Sequence, residues 1–329
     1  MRILFTGASS FTGFWFAKVL AGRGHEVHCT FQGTRESYDA ARGRRIDALP
    51  ESVVRHWETA TQSPRLLEIV ESQNRWDLVC LHAAYVSNYR SPDFDVAQAL
   101  RNNSDGLPAL LEKLAQRGMC RAIATGSVFE AEEGAGEEPR RAFSPYGLSK
   151  TLTWKVQQYR TQMLGVKLGK FLIPNPFGPF EEPRFTAYLM KTWFAGKVAE
   201  VRTPDYIRDN IHVSKLAVHY ADFAEDADSA SGTKCAPMGY AESQGNFTLR
   251  FAGEMRKRVG LACDVTLGKQ SDFSEPLMRV NTQLLPLAPE QWSETAAWDE
   301  LANWYRSEFD AAQHRPETVA EGIAGGKTK

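Results

Sequence analysis

The sequence predicts an α/β protein: a doubly wound parallel sheet with helices on both faces, followed by a smaller mixed α/β lobe. Three observations carry this. Over the first 180 residues, short apolar runs alternate with longer helix-like segments, the rhythm of βαβ crossovers. Several runs are almost continuously apolar, as strands covered on both faces must be. The first run also leads through a glycine-containing turn directly into an amphipathic helix.

In chain order, the expected strands are Arg2–Thr6, Glu26–Phe31, Ser52–His56, Leu78–His82, Arg121–Thr125 and Lys167–Ile173. Expected helices between them include Phe14–Ala21, Pro64–Ser72, Gly106–Gln116 and Pro145–Leu164. After Pro183 the pattern loosens into mixed helices, short strands and Pro/Gly-rich turns with their own aromatics. This predicts a dinucleotide-type domain over residues 1–180, with a return segment near 205–220. A substrate lobe over 181–315 then folds against the carboxyl edge of the sheet. The small, polar stretch 316–329 reads as a flexible tail.

Composition narrows the function. The 329 residues are 43% hydrophobic and 24% charged, with a formal net charge of −1, so no global field invites a nucleic acid. The Arg42, Arg44, Arg45 cluster reads as a solvated helix face. Five widely spaced cysteines, Cys29, Cys80, Cys120, Cys235 and Cys263, form no CxxC pair, which argues against a disulfide framework or a zinc site. Cys29, Cys80 and Cys120 lie in apolar runs and are expected to be small buried residues. The first strand begins at Arg2 and no apolar stretch is long enough to cross a bilayer, so the expected location is the cytoplasm, away from membranes.

The turn after the first strand reads Thr6-Gly7-Ala8-Ser9-Ser10-Phe11-Thr12-Gly13. A strand-to-helix turn of this kind aims backbone N–H groups and a helix N-terminus at a pyrophosphate. Gly7 permits the tight turn and Gly13 lets the helix pack closely, while Ser10 stands where a middle glycine is usual. An ordinary βα turn is the plain alternative; a position at the chain start inside a βαβ unit favours the cofactor reading. The segment resembles the TGxxGxxG turn of the extended short-chain dehydrogenase/reductases, the nucleotide-sugar epimerase/dehydratase group. The resemblance implies a Rossmann-type nucleotide site using Gly7, Ser9, Ser10, Phe11, Thr12 and Gly13, with the Ser10 side chain near the pyrophosphate.

The second strand ends at Phe31, followed by Gln32-Gly33-Thr34-Arg35. An NAD site usually places a carboxylate there for the ribose hydroxyls. Its absence, with Arg35 nearby, favours NADP(H), with NAD(H) possible; Arg35 as a solvated loop residue is an even alternative. His82, Ala83 and Ala84 close the fourth strand. In the family, this small-residue segment lets the cofactor lie close to the backbone, and Ser87 falls in the substrate-facing loop that follows. Taken alone, His82 reads as a strand-end packing residue.

The decisive constellation is Tyr146-Gly147-Leu148-Ser149-Lys150 at the start of a helix. Residues four apart share a helical face, so phenol and ammonium can enter one cleft. An adjacent cation and the cofactor's positive ring can bring a phenol down from pH 10 towards working pH, suiting Tyr146 to exchange a proton with a substrate hydroxyl. YxxxK alone is cheap; its place after Ala124-Thr125-Gly126-Ser127-Val128-Phe129 gives it weight. The resemblance implies Thr125, with Ser127 close behind, as the hydroxyl that shares the substrate oxygen, and Lys150 as the holder of cofactor ribose.

Further matches are weaker. Arg101-Asn102-Asn103-Ser104-Asp105-Gly106 is similar to the start of the family's fourth helix and implies a cofactor role for Asn103. Pro174-Asn175-Pro176-Phe177-Gly178-Pro179 is similar to the NxYGP turn, placing Pro174 by the cofactor and Asn175 by the substrate phosphates. Arg208-Asp209-Asn210-Ile211-His212-Val213 is similar to an RDFIHV segment in which Arg208 would meet the nucleotide. Arg279 is a further phosphate candidate, with a surface ion pair as the plain alternative. Phe180, Arg184, Phe185 and Trp193 could line a sugar pocket, though core packing is the expected fate of most.

The resemblance implies a nucleotide-diphosphate sugar as substrate. Its 4,6-dehydratases carry Asp-Glu after the active threonine, whereas Gly126 and Ser127 follow here, which disfavours dehydration. The 3,5-epimerase/reductases resembling GDP-fucose synthase use a nearby cysteine, and Cys120 lies on the far side of Thr125. Redox chemistry at C4 remains, as a 4-ketoreductase or, nearly level, a 4-epimerase with tightly bound NAD. A non-catalytic sensor of nicotinamide nucleotide is the distant alternative. Residues 106–116 and 145–164 match helices that the family pairs in a four-helix homodimer interface.

Overall fold

The structure, a computed structural model, describes residues 1–227 and 230–313; the expected tail at 316–329 lies outside the described residues. The first half runs β1 (Arg2–Thr6), α1 (Phe11–Gly22), β2 (Glu26–Thr30), α2 (Ala40–Asp47), β3 (Val54–His56), α3 (Pro64–Ser72), β4 (Leu78–Leu81), α4 (Val96–Ser104), α5 (Leu107–Gln116) and β5 (Arg121–Ser127). It continues through β6 (Ala135–Gly136), α6 (Pro145–Met163), β7 (Lys167–Ile173), β8 (Asn175–Phe177), α7 (Phe185–Phe194), β9 (Ala199–Val201), β10 (Ile207–His212) and α8 (Val213–Glu225). The chain then forms β11 (Lys234–Cys235), β12 (Tyr240–Ser243), α9 (Gln244–Val259), β13 (Val265–Leu267), β14 (Met278–Val280) and α10 (Glu294–Gln313).

Seven parallel strands form the main sheet in the order β11-β7-β5-β4-β1-β2-β3. The order reverses between β1 and β4, and such a switch point opens a crevice at the carboxyl ends of the strands. A mixed sheet, β12-β10-β14-β6 with β8 beside β10, and a β13-β9 pair complete the molecule.

Both faces of the main sheet are apolar. Phe14, Phe16 and Ala17 of α1 meet Leu216 and Tyr220 of α8 over one face. Leu66, Leu107, Leu110, Leu111 and Trp154 cover the other. A third core around Trp193, Phe247, Phe251 and Trp298 supports the second sheet. Burying side chains of this size contributes about 1.5–3 kcal/mol each.

Local chemistry sets the helix starts. The hydroxyls of Ser10, Ser63 and Ser144 accept from the N–H groups of Gly13, Leu66 and Gly147, and prolines follow at the first position of α3 and α6.

Three expectations are corrected here. The seventh strand, β11, comes from residues 234–235, beyond the expected return segment near 205–220, where α8 begins and packs on α1. Two residues carry no readable apolar run. Cys120 is exposed at the turn before β5, whereas the other cysteines are buried. Of the arginine cluster, Arg42 and Arg44 are solvated, but Arg45 is buried, donating to the carbonyls of Phe180 and Ser9.

Candidate active site

One cavity of about 1120 Å³ follows the carboxyl ends of β1, β2, β4, β5 and β7 and continues towards α7 and the second sheet. A single small ligand occupies roughly 300–1,000 Å³, so there is room for two ligands end to end.

The turn after β1 forms its floor. Gly7 has φ +84°, and a Cβ there would meet the Ala83 backbone nitrogen at 2.8 Å. A Cβ on Gly13 would meet the Gly7 carbonyl at 2.2 Å and the His82 ring at 2.9 Å. Both glycines are therefore required by close packing. Thr6 fastens the neighbouring strand end: its Oγ1 accepts from the N–H groups of His82 and Ala83, both at 3.0 Å. The cradle, the open N-terminus of α1 and the small residues Ala83 and Ala84 fit a dinucleotide pyrophosphate.

Ser10 lines the cavity, with its hydroxyl bonded within the turn. Its Oγ donates to the Gly7 carbonyl at 2.9 Å, accepts from Gly13 N at 3.1 Å, and lies 3.0 Å from His82 Nε2. The side chain is folded back into the turn and occupies the room that a glycine would leave.

The strand ends stand side by side, with Leu81 opposite Ala124 and Ser127 opposite Ile173. Thr125, Ser127, Tyr146 and Lys150 all line the cavity. Lys150 Nζ donates to the Thr125 carbonyl at 2.5 Å, and Thr125 Oγ1 lies 3.0 Å from His82 Nδ1. Ser127 Oγ accepts from Phe129 N at 3.2 Å. Behind this strand lies a buried ion cluster: Lys170 bonds Glu130 at 2.5 Å and Glu133 at 2.8 Å, and Glu130 accepts from Ser127 N at 2.8 Å. A Cβ on Gly126 would meet Lys170 Cε at 2.5 Å and Glu130 Oε1 at 2.9 Å, so position 126 has no room for a carboxylate.

The electrostatics differ from the expectation. Burial raises the Tyr146 phenol above its ordinary range, the negative charge of Glu130 adds to this, and Arg184 opposes it. Burial lowers Lys150, with Glu130 partly offsetting the effect. Lys150, committed to a carbonyl, is not the cation that opposes the rise in Tyr146; Arg184, across the cavity, is. His82 is pushed down to about 3 by burial and by the Lys150 charge, and so stays neutral.

Gly7, Ser9, Ser10, Phe11, Thr12, His82, Ala83, Ala84, Pro174, Asn175 and Arg208 also line the cavity as expected, while Gly13 underlies the turn. Arg208 is braced by Glu275 at 2.9 Å and by the carbonyls of Ile207, Pro276 and Leu277.

Besides Gly13, five expected site residues are not part of the lining. Phe31 is core, stacked on Trp57 at 4.7 Å, and its neighbours Thr30 and Gln32 face the cavity instead. Arg35 forms a two-pronged pair with Asp47, at 2.8 and 2.5 Å, outside the lining. Ser87 is turned out, leaving Val86, Tyr89 and Arg90. Asn103 sits in the last turn of α4 rather than at a helix start; it accepts from Tyr85 N at 2.8 Å and donates to Thr153 at 3.2 Å. Arg279 is fully buried, donating to the carbonyls of Val128, Glu130, Glu133 and Arg141. Phe180 and Trp193 are packed in cores, whereas Arg184 and Phe185 reach the cavity.

Sequence reasoning missed Arg42, which lines the end beyond β2 with Tyr38 and Asp39. It also missed Asn210, whose buried Nδ2 has no partner although the residue lines the cavity. The missed α2 and the pairing of Asn210 with Asn175 were the signals that would have located them.

A parallel switch-point sheet, a glycine turn under a helix and a Thr/Tyr/Lys constellation in one cavity define a nucleotide-binding enzyme of the Rossmann class. A sequence profile of the NAD-dependent epimerase/dehydratase family matches residues 3–233, and the chain belongs to that family. No curated protein matches it in sequence.

Among solved structures, UDP-glucuronic acid 4-epimerase from Bacillus cereus, in complex with UDP-glucuronic acid and NAD, superposes with a TM-score of 0.71 at 17% identity, covering 94% of this chain and all of that one. UDP-glucose 4-epimerase from Thermotoga maritima, with UDP-glucose, gives 0.69 at 18% identity, covering 94% and 100%. The dTDP-glucose 4,6-dehydratase DesIV from Streptomyces venezuelae, with NAD bound, gives 0.67 at 17% identity, covering 94% and 98%. Among the described residues, no helix is long and apolar enough to cross a membrane.

Proposed function

We propose that the protein transfers hydride at C4 of a nucleotide-diphosphate sugar, as a 4-ketoreductase. The observation that carries this is the convergence of Thr125, Tyr146 and Lys150 on one cavity with the dinucleotide cradle. A bound nicotinamide would supply or accept the hydride. Tyr146 gives its proton to the sugar oxygen as ketone becomes alcohol, or takes it in the reverse direction. Lys150 fixes the Thr125 backbone and presents its charge to the ribose side, while Arg208, Asn175 and Arg184 offer donors to the diphosphate and sugar. The crowding at position 126 disfavours dehydration through a carboxylate pair there.

Arg35 no longer supports NADP, but Arg42 does: it lines the cavity beyond β2, 3.9 Å from Asp39, and no carboxylate follows β2 directly. A 4-epimerase with retained NAD is the second reading, favoured by Asp39 at the same end and by the NAD-bound 4-epimerases that share the fold.

Releasing the nucleotide from denatured protein and identifying it by mass separates them. Stoichiometric NAD selects the epimerase; an empty site that consumes NADPH with a 4-keto sugar nucleotide selects the reductase. We further propose a homodimer through α5 and α6, the second of which exposes Leu148, Leu152, Tyr159 and Met163. A monomeric mass by light scattering would refute it.

A further inference from the structure

His82 touches both the cofactor turn and the strand that carries Thr125. We propose that His82 is a positioning residue that locks the Thr125 hydroxyl as an acceptor towards the substrate and ties that orientation to the cofactor turn.

The proton accounting runs outward from Ser10. Its hydroxyl has one proton, and the Gly7 carbonyl at 2.9 Å can only accept it. Gly13 N–H, at 3.1 Å, can only donate to Ser10 Oγ. With the Ser10 proton on the Gly7 carbonyl, which also accepts from Ser10 N at 3.1 Å, the remaining partner, His82 Nε2 at 3.0 Å, donates as well. A neutral imidazole with Nε2 protonated has a bare Nδ1, which accepts from Thr125 Oγ1 at 3.0 Å, while the buried Tyr220 phenol is the other hydrogen-bonding neighbour of that hydroxyl. Thr12 Oγ1, 3.3 Å from Nε2, can share the same N–H.

Packing holds the ring so that each nitrogen keeps its partners. It stacks on Phe5 with centroids 5.6 Å apart, meets the edge of Phe16 at 5.3 Å, and fills the space that a side chain at position 13 would need. Burial keeps it neutral, so the roles hold across the working pH range. With its proton lodged on His82 and its carbonyl on Lys150, Thr125 is fixed at both ends. On the redox reading above, Thr125 then has no proton to give the substrate oxygen, and Tyr146 is left as the group that gives that oxygen its proton or takes it back.

The test uses the full chain, ¹⁵N-labelled at histidine, with the His82 signals assigned by their loss in His82→Asn. The expected spectrum shows a neutral ring with Nε2 protonated; Ser10→Ala moves the Nε2 signal and Thr125→Val moves the Nδ1 signal. A ring protonated at Nδ1, or an Nδ1 signal unmoved by Thr125→Val, overturns the proposal.

Two substitutions then split the functions. His82→Gln keeps an N–H at the Nε2 position; it should leave dinucleotide Kd within about twofold while kcat falls about tenfold or more. His82→Asn keeps an acceptor at the Nδ1 position; it should weaken the dinucleotide about fivefold and lower kcat less than the glutamine does. Wild-type values in both also overturn the proposal, and if neither variant folds, the Ser10 and Thr125 spectra decide. Correct spectra without turnover of any sugar nucleotide would instead leave the His82 link standing and refute the redox reading.

Discussion

Glu181 offers a prediction whose size follows from the structure. The turn after β8 places its carboxyl in the protein interior, where Thr186 donates at 2.7 Å and Tyr305 of α10 donates to the other oxygen. Burial raises its pKa from 4.5 to about 7, the hydrogen bonds offsetting only part of the effect. The folded state therefore holds a proton that the unfolded chain has lost. This stability is fully present below pH 4.5 and drains away as pH climbs through about 7.

The shift, 7 − 4.5 = 2.5 units, corresponds to roughly 3 kcal/mol at 1.36 kcal/mol per unit. Asp209, raised to about 6 by burial, acts in the same direction, while His82 and His212, both lowered to about 3, act in the opposite one. The raw pH profile is thus a sum, and the difference between wild type and Glu181→Gln isolates the carboxyl. Urea unfolding of both proteins from pH 5 to 8 should show the wild type losing about 2–3 kcal/mol relative to the variant. Parallel profiles would refute the buried, protonated carboxyl.

The remaining predictions address the site. Tyr146→Phe should lower turnover about 10²- to 10⁴-fold with dinucleotide affinity nearly unchanged, measured by steady-state kinetics and calorimetry. Arg42→Ala should weaken binding of NADP about tenfold relative to NAD, and Arg35→Ala should leave the ratio alone; competition titrations read both. Arg279→Met should destabilise the fold by roughly 3 kcal/mol or more, because carbonyls of the β5–α6 connection lose their donor, yet leave substrate KM unchanged in the folded fraction. A raised KM with normal stability would restore its role as a phosphate ligand.

The sequence made the parallel sheet legible because its strands are apolar runs between capped helices. β1, α3 and β7 fall at the expected residues, as do the cradle around Gly7 and the placement of Thr125, Tyr146 and Lys150 in one cavity. The misses have physical causes. Spacing cannot say whether an arginine faces a ligand or a carbonyl: Arg279 satisfies four backbone oxygens and Arg35 a carboxylate. Asn103 was read as beginning a helix that it in fact ends, because the turn at Gly106, with φ +77°, separates α4 from α5. His82 looked like packing, and it is packed; its second role depends on Ser10, seventy-two residues away in sequence.

The central claim, hydride transfer at the sugar, is tested most directly with NADPH and NADH carrying deuterium at the transferable position. The protein would be incubated with 4-keto sugar nucleotides and the products examined by mass spectrometry and NMR. Deuterium is expected at C4 of the sugar with the wild type and is lost with Tyr146→Phe. Binding of nucleotide and sugar with neither transfer to any of them nor epimerisation of a sugar nucleotide at C4 would contradict the central claim and leave a binding protein in place of an enzyme.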